Sequence, residues 1–513
     1  MNSFSASKRR LLNAAAAGVA AAGTLNLGAR KAGAADDKPY DVIVVGGGNA
    51  GLPTAIFAAA RGARVVVIEA SGQIGGTLFL SSGQMSAAGT KLQRSKGIED
   101  TPQIHFDDVM RISKGTADPV LMRLAVDNAA PVFDWLMDNG LKVDPKHPVT
   151  GTTHEPYSRE RYAWSKNGGM AILKILEDQL KPHVDSGKVT LMTGTEAAEL
   201  LKDKNGDVIG VAVRGEGGKT DKVMGRNVVL TCGGYTYNPK MFEELEHAKI
   251  ATNITYPYSQ GAGITLAVAA GGYVRGGDKH TPLFGAVLAE RDTPTQLRAM
   301  VRHFPGDRPP WEIIVDVAGK RFLREDILSH DAYEQALAAQ PDERCWIVFD
   351  AEVYAKAPRL VSGGFGAPWT PEDTAEAFKT GDVAYFTSGD TIEALAKKAG
   401  VDAKGLAETV AAYNKAQASG TDALGRKHMP LPITKAPFYA VELHSWALTS
   451  YAGIAVDGEL RVIRQDGTPI KNLYAAGELL GMGQMMGRAV CGGMSVTPAL
   501  ALGRLLGTSI LKV

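Results

Sequence analysis

A run of glycines and a distant acid define the first chemistry this chain can do. Gly46, Gly48 and Gly51 have the spacing of a turn that lets bare backbone approach a pyrophosphate. Asn49 and Ala50 fill that turn where it opens into a helix, whose N-terminal N–H groups face negative charge. Glu69 lies about 20 residues further on, where a carboxylate accepts a hydrogen bond from a ribose hydroxyl. Together these residues predict a bound adenine dinucleotide.

The surrounding pattern supplies the elements that such a turn needs. An apolar run from Val42 to Val45 predicts a buried parallel strand, and an Ala-rich stretch from Leu52 to Arg61 predicts a helix. A second apolar run, Ala63 to Ile68, ends at Glu69 and Ala70. Small residues then recur in two loops, one holding Gly75, Gly76 and Thr77, the other Ser82 and Gly83. The segment Asn227 to Gly234 reads as a short strand returning to the central sheet and ending at Gly233. Near the C-terminus, Leu473 to Glu478 reads as a strand and turn containing Gly477, and a last helix is predicted from Ser495 and Val496 to Ile510.

Between these lie less specific patterns. Helices are predicted over Asp118–Met137, with Leu121, Leu124, Ala125, Ala129, Val132 and Phe133 on one face, and over Gly168–Leu180. Lys91–Asp100 reads as a polar loop, and Val189–Val213 as a small antiparallel layer turning at Gly206. From Arg275 to Leu443 the pattern changes to short strands, many prolines and helices near Thr391–Ala399 and Ala403–Ala416, which predicts an inserted domain. The partition is 36–274 and 446–513 for the outer segments, and 275–445 for the insertion.

Whole-chain properties narrow the function further. A chain of 513 residues can build two or three sizeable cores, and a net charge of +1 gives no nucleic-acid groove. The three cysteines, Cys232, Cys345 and Cys491, form no CxxC pair or haem motif, and no metal-ligating set stands out. Arg9 and Arg10 precede a mildly apolar, Ala-rich stretch to about Leu27, followed by small residues at Ala32–Ala34. Residues 1–35 thus read as a Tat signal, exporting the folded protein to the periplasm through the Tat translocon, with a membrane anchor as the alternative.

Several stretches resemble the FAD-dependent family of fumarate reductase and succinate dehydrogenase flavoproteins, which includes urocanate reductase-like enzymes and 3-ketosteroid dehydrogenases. They are Val42–Gly51, Gly75–Thr77, Ser86–Thr90 with Gly97–Pro102, Val228–Gly234, Gly319–Phe322 with Glu325, and Leu473–Glu478. The resemblance implies an α/β fold: a Rossmann-like FAD-binding domain with an inserted α+β cap closing over the flavin. It implies that Glu69 binds the adenosine ribose and Glu478 the ribityl side of FAD. Relatives that attach flavin covalently use a histidine near the loop matching Ser81–Gly89. No histidine stands there, so non-covalent FAD is expected.

The same family moves hydrogen across a carbon–carbon bond beside a carbonyl, with hydride at flavin N5 and a proton from a side chain. His280 is similar to the family's substrate-binding histidine, and Arg308 to an arginine of its proton relay. Arg321 and Glu325 are expected to be a structural ion pair. The relay position four residues beyond Glu325 is Ser329, and the adjacent His330 is a candidate acid/base that Asp331 would orient. The fumarate reductase histidine near the tail gives way to Thr449–Gly453, in which Tyr451 appears, and the second clamping arginine is displaced to Arg488. Tyr451 leads Tyr157, Tyr162 and Tyr235 as the group that polarises a carbonyl or moves a proton.

A dicarboxylate needs charge-assisted partners at both ends, so a neutral or singly charged carbonyl substrate fits better. An external donor or acceptor, a quinone or a cytochrome, completes the cycle. The alternatives left open are an electron-transfer flavoprotein subunit without substrate chemistry and an amine or alcohol oxidase on the same cofactor fold.

Overall fold

The computed structural model describes residues 38–151, 155–301, 308–363, 369–381 and 385–511. The expected export signal lies outside the described residues. Among those described, no helix is long and apolar enough to cross a membrane.

Val42–Val45 does form a fully buried strand, because four β-branched residues in a row suit a sheet covered on both faces. It pairs in parallel with Val65–Ile68 on one side and Val228–Leu230 on the other. The six-stranded sheet continues outward through Val189–Met192 at one edge, and through Pro469–Ala475 and antiparallel Arg461–Ile463 at the other. Val189–Met192 corrects the reading of a single antiparallel layer over Val189–Val213. Its apolar residues extend the parallel sheet, and only the segments after it pair as Glu196–Lys202, Val208–Arg214 and Thr220–Met224.

The two chain ends meet on this sheet. The last helix, Val496–Ser509, lies against the glycine-turn helix, Gly51–Ala60. Gly503 permits the approach, since a Cβ there would stand 2.2 Å from the Ala50 carbonyl oxygen, and Thr54 Oγ1 donates to the Gly503 oxygen at 3.0 Å. Two local readings also need correction. Asp118–Met137 is two helices, Pro119–Asp127 and Ala129–Asp138, because the Pro131 ring cannot pack beneath the Asp127 carbonyl. Lys91–Ser95 is a short helix instead of a loop, started by a reciprocal cap between Thr90 and Gln93.

A second, seven-stranded sheet gathers Leu283–Leu288, Leu297–Met300, Ile313–Val315, Arg344–Asp350, Ser362–Gly363, Phe386–Gly389 and Phe438–Trp446. Its paired strands run antiparallel. Side chains alternate between two apolar cores: Cys345, Ile347 and Phe349 face one, while Trp346 and Val348 face the other. The helices Ile392–Ala399 and Ala403–Ser419, both expected near these positions, cover the second of these.

Candidate active site

The glycine turn is held by its own acid. Glu69 Oε2 accepts from the Gly47 N–H at 2.8 Å and Oε1 from the Ser71 N–H at 2.8 Å. Gly46 takes φ +104 with the Thr231 carbonyl beside it, and a Cβ on Gly51 would stand 1.9 Å from the Gly46 oxygen. Those two glycines serve close packing of strand, turn and helix. Gly48 is different, because a Cβ built there would meet only Gly76 Cα, at 3.9 Å, so the turn faces an open groove. Into the same turn falls Asn49, whose buried Oδ1 has no hydrogen-bond partner among the described residues.

The remaining predicted cofactor positions divide by environment. Thr77 and Ala70 are half-buried beside this turn, while Gly75 packs against Leu173 and Phe79. Gly83 abuts the Gly168 carbonyl, and Ser82 beside it is exposed. Gly233 takes φ +74 in open space, and Gly477 sits 3.0 Å (as a Cβ) from the Ala50 methyl. Ser495 and Val496 begin the last helix, which has no side-chain cap. Glu478 Oε1 accepts from the Ser450 N–H and hydroxyl, both at 3.0 Å, and burial raises the affinity of this carboxyl for its proton. An unpartnered amide oxygen, an uncapped helix start and a glycine-lined groove fit the pyrophosphate and ribose of an adenine dinucleotide.

Residue Glu246, which the sequence reading missed, organises the second half of the site. It ends the helix Pro239–Glu246 and is buried. Its Oε1 accepts from the Tyr235 hydroxyl at 2.6 Å and the Tyr451 N–H at 2.6 Å, while Oε2 lies 3.0 Å from His280 Nδ1. On the other side of the imidazole, Glu343 Oε1 stands 3.2 Å from Nε2. Glu343 is presented by a turn in which it and Asp342 both adopt left-handed backbone, φ +47 and +54, a strained arrangement for such residues. Burial lowers the His280 pKa, and the bonds and charges of Glu246 and Glu343 more than offset it, raising it to about 9. The edges of Phe242 and Tyr451 close around the ring at 5.5 and 5.7 Å.

Tyr451 is buried, with 3% of its surface exposed. Burial, then the nearby acid Glu334, push its ionisation upward, so the phenol keeps its proton at any ordinary pH. The structure therefore brings together His280, Tyr451 and Tyr235, three of the sequence candidates, at the junction of the two sheets.

The other candidates lie elsewhere. Arg308 is clamped by Glu312, at 3.0 Å and 2.5 Å, inside the seven-stranded sheet region. His330 is buried at the first turn of the helix His330–Ala338, but the Asp331 carboxylate expected to orient it pairs with Lys114 at 2.5 Å. Arg488 points outward, its side chain 56% exposed and its Nη2 donating to the Asp278 carbonyl. Tyr157 donates to the Gly492 carbonyl at 2.5 Å, and Tyr162 packs beneath the same glycine. Arg321 and Glu325 do form the expected buried ion pair, at 2.6 Å.

The profile of the FAD binding domain family matches residues 41–496, and the chain belongs to that family. It is thus an FAD-dependent oxidoreductase acting on CH–CH groups, similar in sequence to fumarate and urocanate reductases and in fold to ketosteroid dehydrogenases. It is 28% identical over 477 residues to the fumarate reductase (cytochrome) of Shewanella frigidimarina, covering 92% of this chain and 77% of the relative. It is 26% identical to the urocanate reductase of Eggerthella lenta, over 91% of this chain and 74% of the relative. The fold resembles the crystal structure of 3-ketosteroid delta1-dehydrogenase from Sterolibacterium denitrificans in complex with 1,4-androstadiene-3,17-dione. That comparison gives a TM-score of 0.70 at 20% identity, over 92% of this chain and 99% of the other.

Proposed function

We propose that this chain is an exported enzyme that holds FAD without a covalent bond and reduces or desaturates a carbon–carbon bond alpha,beta to a carbonyl. The twin arginine at Arg9 and Arg10 supports Tat export to the periplasm, and the histidine-free loop Ser81–Gly89 supports the non-covalent cofactor. The FAD-binding domain spans 36–274 and 446–513 with the cap at 275–445, a partition supported by the separate apolar cores on the two sheets.

In this reading Gly46, Gly48, Asn49, Ala50 and Gly51 hold the pyrophosphate, Glu69 the adenosine ribose and Glu478 the ribityl chain. Bound FAD supplies a hydride donor or acceptor. The observation that carries the reading is the dipeptide Ser450–Tyr451. Ser450 is bound to Glu478, and Tyr451 through its N–H to Glu246, which also holds His280. One rigid link thereby fixes a phenol and an imidazolium relative to the flavin side of the fold. Tyr451 donates or accepts the proton, and the His280 imidazolium, charged below pH about 9 and held between Glu246 and Glu343, adds positive charge beside it.

The charges also select the substrate. His280 faces two protein carboxylates, Arg308 is neutralised by Glu312, and Arg488 turns away. None of these cations is left uncompensated for a dicarboxylate, which favours a neutral or singly charged carbonyl compound. Electrons pass to or from an external quinone or cytochrome, in keeping with the cytochrome-linked fumarate reductase relative.

The test is a screen of cyclic ketones, enones and unsaturated mono- and diacids against oxidised and reduced flavin, without partner protein. Rapid colour change with a neutral or monoanionic compound is expected. Fumarate as the fastest substrate would overturn the substrate assignment, and no response to any compound would leave an electron-transfer subunit instead.

A further inference from the structure

His280 is held by acids from both bodies of the fold. Glu246 closes the helix Pro239–Glu246, ahead of the insertion, and its Oε2 lies 3.0 Å from Nδ1. Glu343 directly precedes the strand Arg344–Asp350 of the seven-stranded sheet, and its Oε1 lies 3.2 Å from Nε2. The ring thus joins the two bodies through an ion pair on each nitrogen, with 9% of its side chain exposed. A neutral imidazole carries one N–H and can donate toward only one carboxylate, whereas the imidazolium can face both. Two further ion pairs cross the same junction, Lys114–Asp331 at 2.5 Å and Lys249–Asp342 at 3.8 Å. Both use lysines that are 72% exposed, so solvent screens them more than it screens the histidine.

The turn that delivers Glu343 is strained. Two consecutive non-glycine residues, Asp342 and Glu343, take left-handed backbone, which persists where the surroundings hold it. The Glu343 N–H donates to the Gln340 carbonyl at 3.1 Å. The neighbouring guanidinium does not compete for this carboxylate, since Arg344 faces Glu442 at 3.5 Å. Among the described residues, His280 is the cation that Glu343 meets. The other titratable groups around the ring are few. Tyr451 stands edge-on at 5.7 Å, Lys279 adjoins in the chain, and Asp278 turns outward toward Arg488 at 3.9 Å.

We propose that Glu343 is a positioning residue that ties the charge of His280 to the docking of the two sheets. Docked, it holds the imidazolium beside Tyr451. When the insertion swings away, the Glu343 carboxylate leaves with the strand Arg344–Asp350 and the ring keeps Glu246 alone. The inference rests on the role given to His280 and Tyr451 above. Linkage makes the device reciprocal: docking favours the proton on His280, and that proton favours docking. The latch is therefore closed at neutral pH and loosens as pH rises through about 9, where the imidazolium is lost.

The test uses the full, FAD-loaded chain and the variants Glu343→Gln, Glu343→Asp and His280→Gln. Histidine ring NMR, with the His280 signal assigned by its loss in His280→Gln, reads the titration directly. Its midpoint should fall by about one pH unit or more in Glu343→Gln, with Glu343→Asp in between. A dye pair on non-natural residues replacing Lys240 and Lys404, exposed positions on the two bodies, reads the docking. The wild-type distance should be narrow at pH 7 and broaden above pH 9, and the pH dependence should vanish in Glu343→Gln. An unshifted midpoint in Glu343→Gln, or a wild-type distance that ignores pH, would overturn the latch. With the fastest compound in the screen, Glu343→Gln should turn over near the wild-type rate at pH 6 and about threefold slower at pH 8.5. If His280→Gln is slow while Glu343→Gln matches wild type throughout, only the latch is wrong. If His280→Gln turns over normally, the catalytic role of the imidazolium fails, and the NMR and distances still decide the latch. Should Glu343→Gln not fold, a lowered midpoint in Glu343→Asp supports the proposal and an unshifted one overturns it.

Discussion

The junction between the sheets and the interior of the seven-stranded sheet region both bury acids and cations, yet they satisfy them differently. In the interior, Arg321 grips Glu325 and Asp422 at once, Arg308 grips Glu312, and Arg426 donates to the carbonyls of Glu312 and Pro310 at 2.7 and 2.6 Å. Glu312, Glu325 and Asp422 each meet a guanidinium there, and buried Asp350 accepts from three backbone N–H groups. At the junction, one imidazole is shared by Glu246 and Glu343. A saturated network fixes a shape, whereas an unsaturated one leaves protons free to move. Arginine is suited to the first because it cannot deprotonate, histidine and tyrosine to the second because they can.

The contrast predicts which property each region controls. Replacing Arg426 with Ala leaves Glu325 with Arg321 but strips the donor from the buried Glu312 and Pro310 carbonyls, and should lower stability by about 1–3 kcal/mol for each. Urea midpoints would show it, while turnover per folded, flavin-loaded molecule stays unchanged. Arg308→Ala should behave in kind, unfolding more readily instead of only slowing.

At the junction the signature is a pH dependence. His280 has a folded pKa of about 9 against an ordinary 6.5, so its contribution is complete below 6.5 and is lost as pH rises through 9. That contribution is roughly 3 kcal/mol, and urea titrations at pH 6.5 and above 9 should differ by an amount that vanishes in His280→Gln. Tyr451→Phe should leave folding intact and reduce turnover about 100-fold, roughly 2.7 kcal/mol in the barrier. Smallest of all, Arg488→Ala on the exposed rim should change stability by no more than about 0.5 kcal/mol and turnover by less than about twofold. A large effect there would mean that the rim arginine reaches substrate and would weaken the division drawn here.

Much of the dinucleotide half was legible in the sequence because its determinants are local. The glycine spacing, the flanking apolar runs and Glu69 lie within one strand–helix–strand unit. The second half was less so, since its residues are assembled across hundreds of positions. Glu246 shares its helix with Glu243 and Glu244, which are exposed, and spacing alone gives no reason to single out the buried one. Glu343 likewise reads as one more charge in a turn, beside Asp342. Val189–Met192 was misread because a buried edge strand and the first strand of a hairpin carry the same apolar residues. Pro131, by contrast, was a visible helix breaker whose effect was not applied.

The packing of Gly503 against Ala50 has a consequence for how the protein is made. The groove wall laid down in the first strands lacks its neighbouring helix and the Glu478 turn until the chain has grown through the whole seven-stranded sheet. A nascent chain emerging from the ribosome therefore presents only half a binding cleft. The cleft is whole only when the helix Val496–Ser509 has docked against Gly51–Ala60.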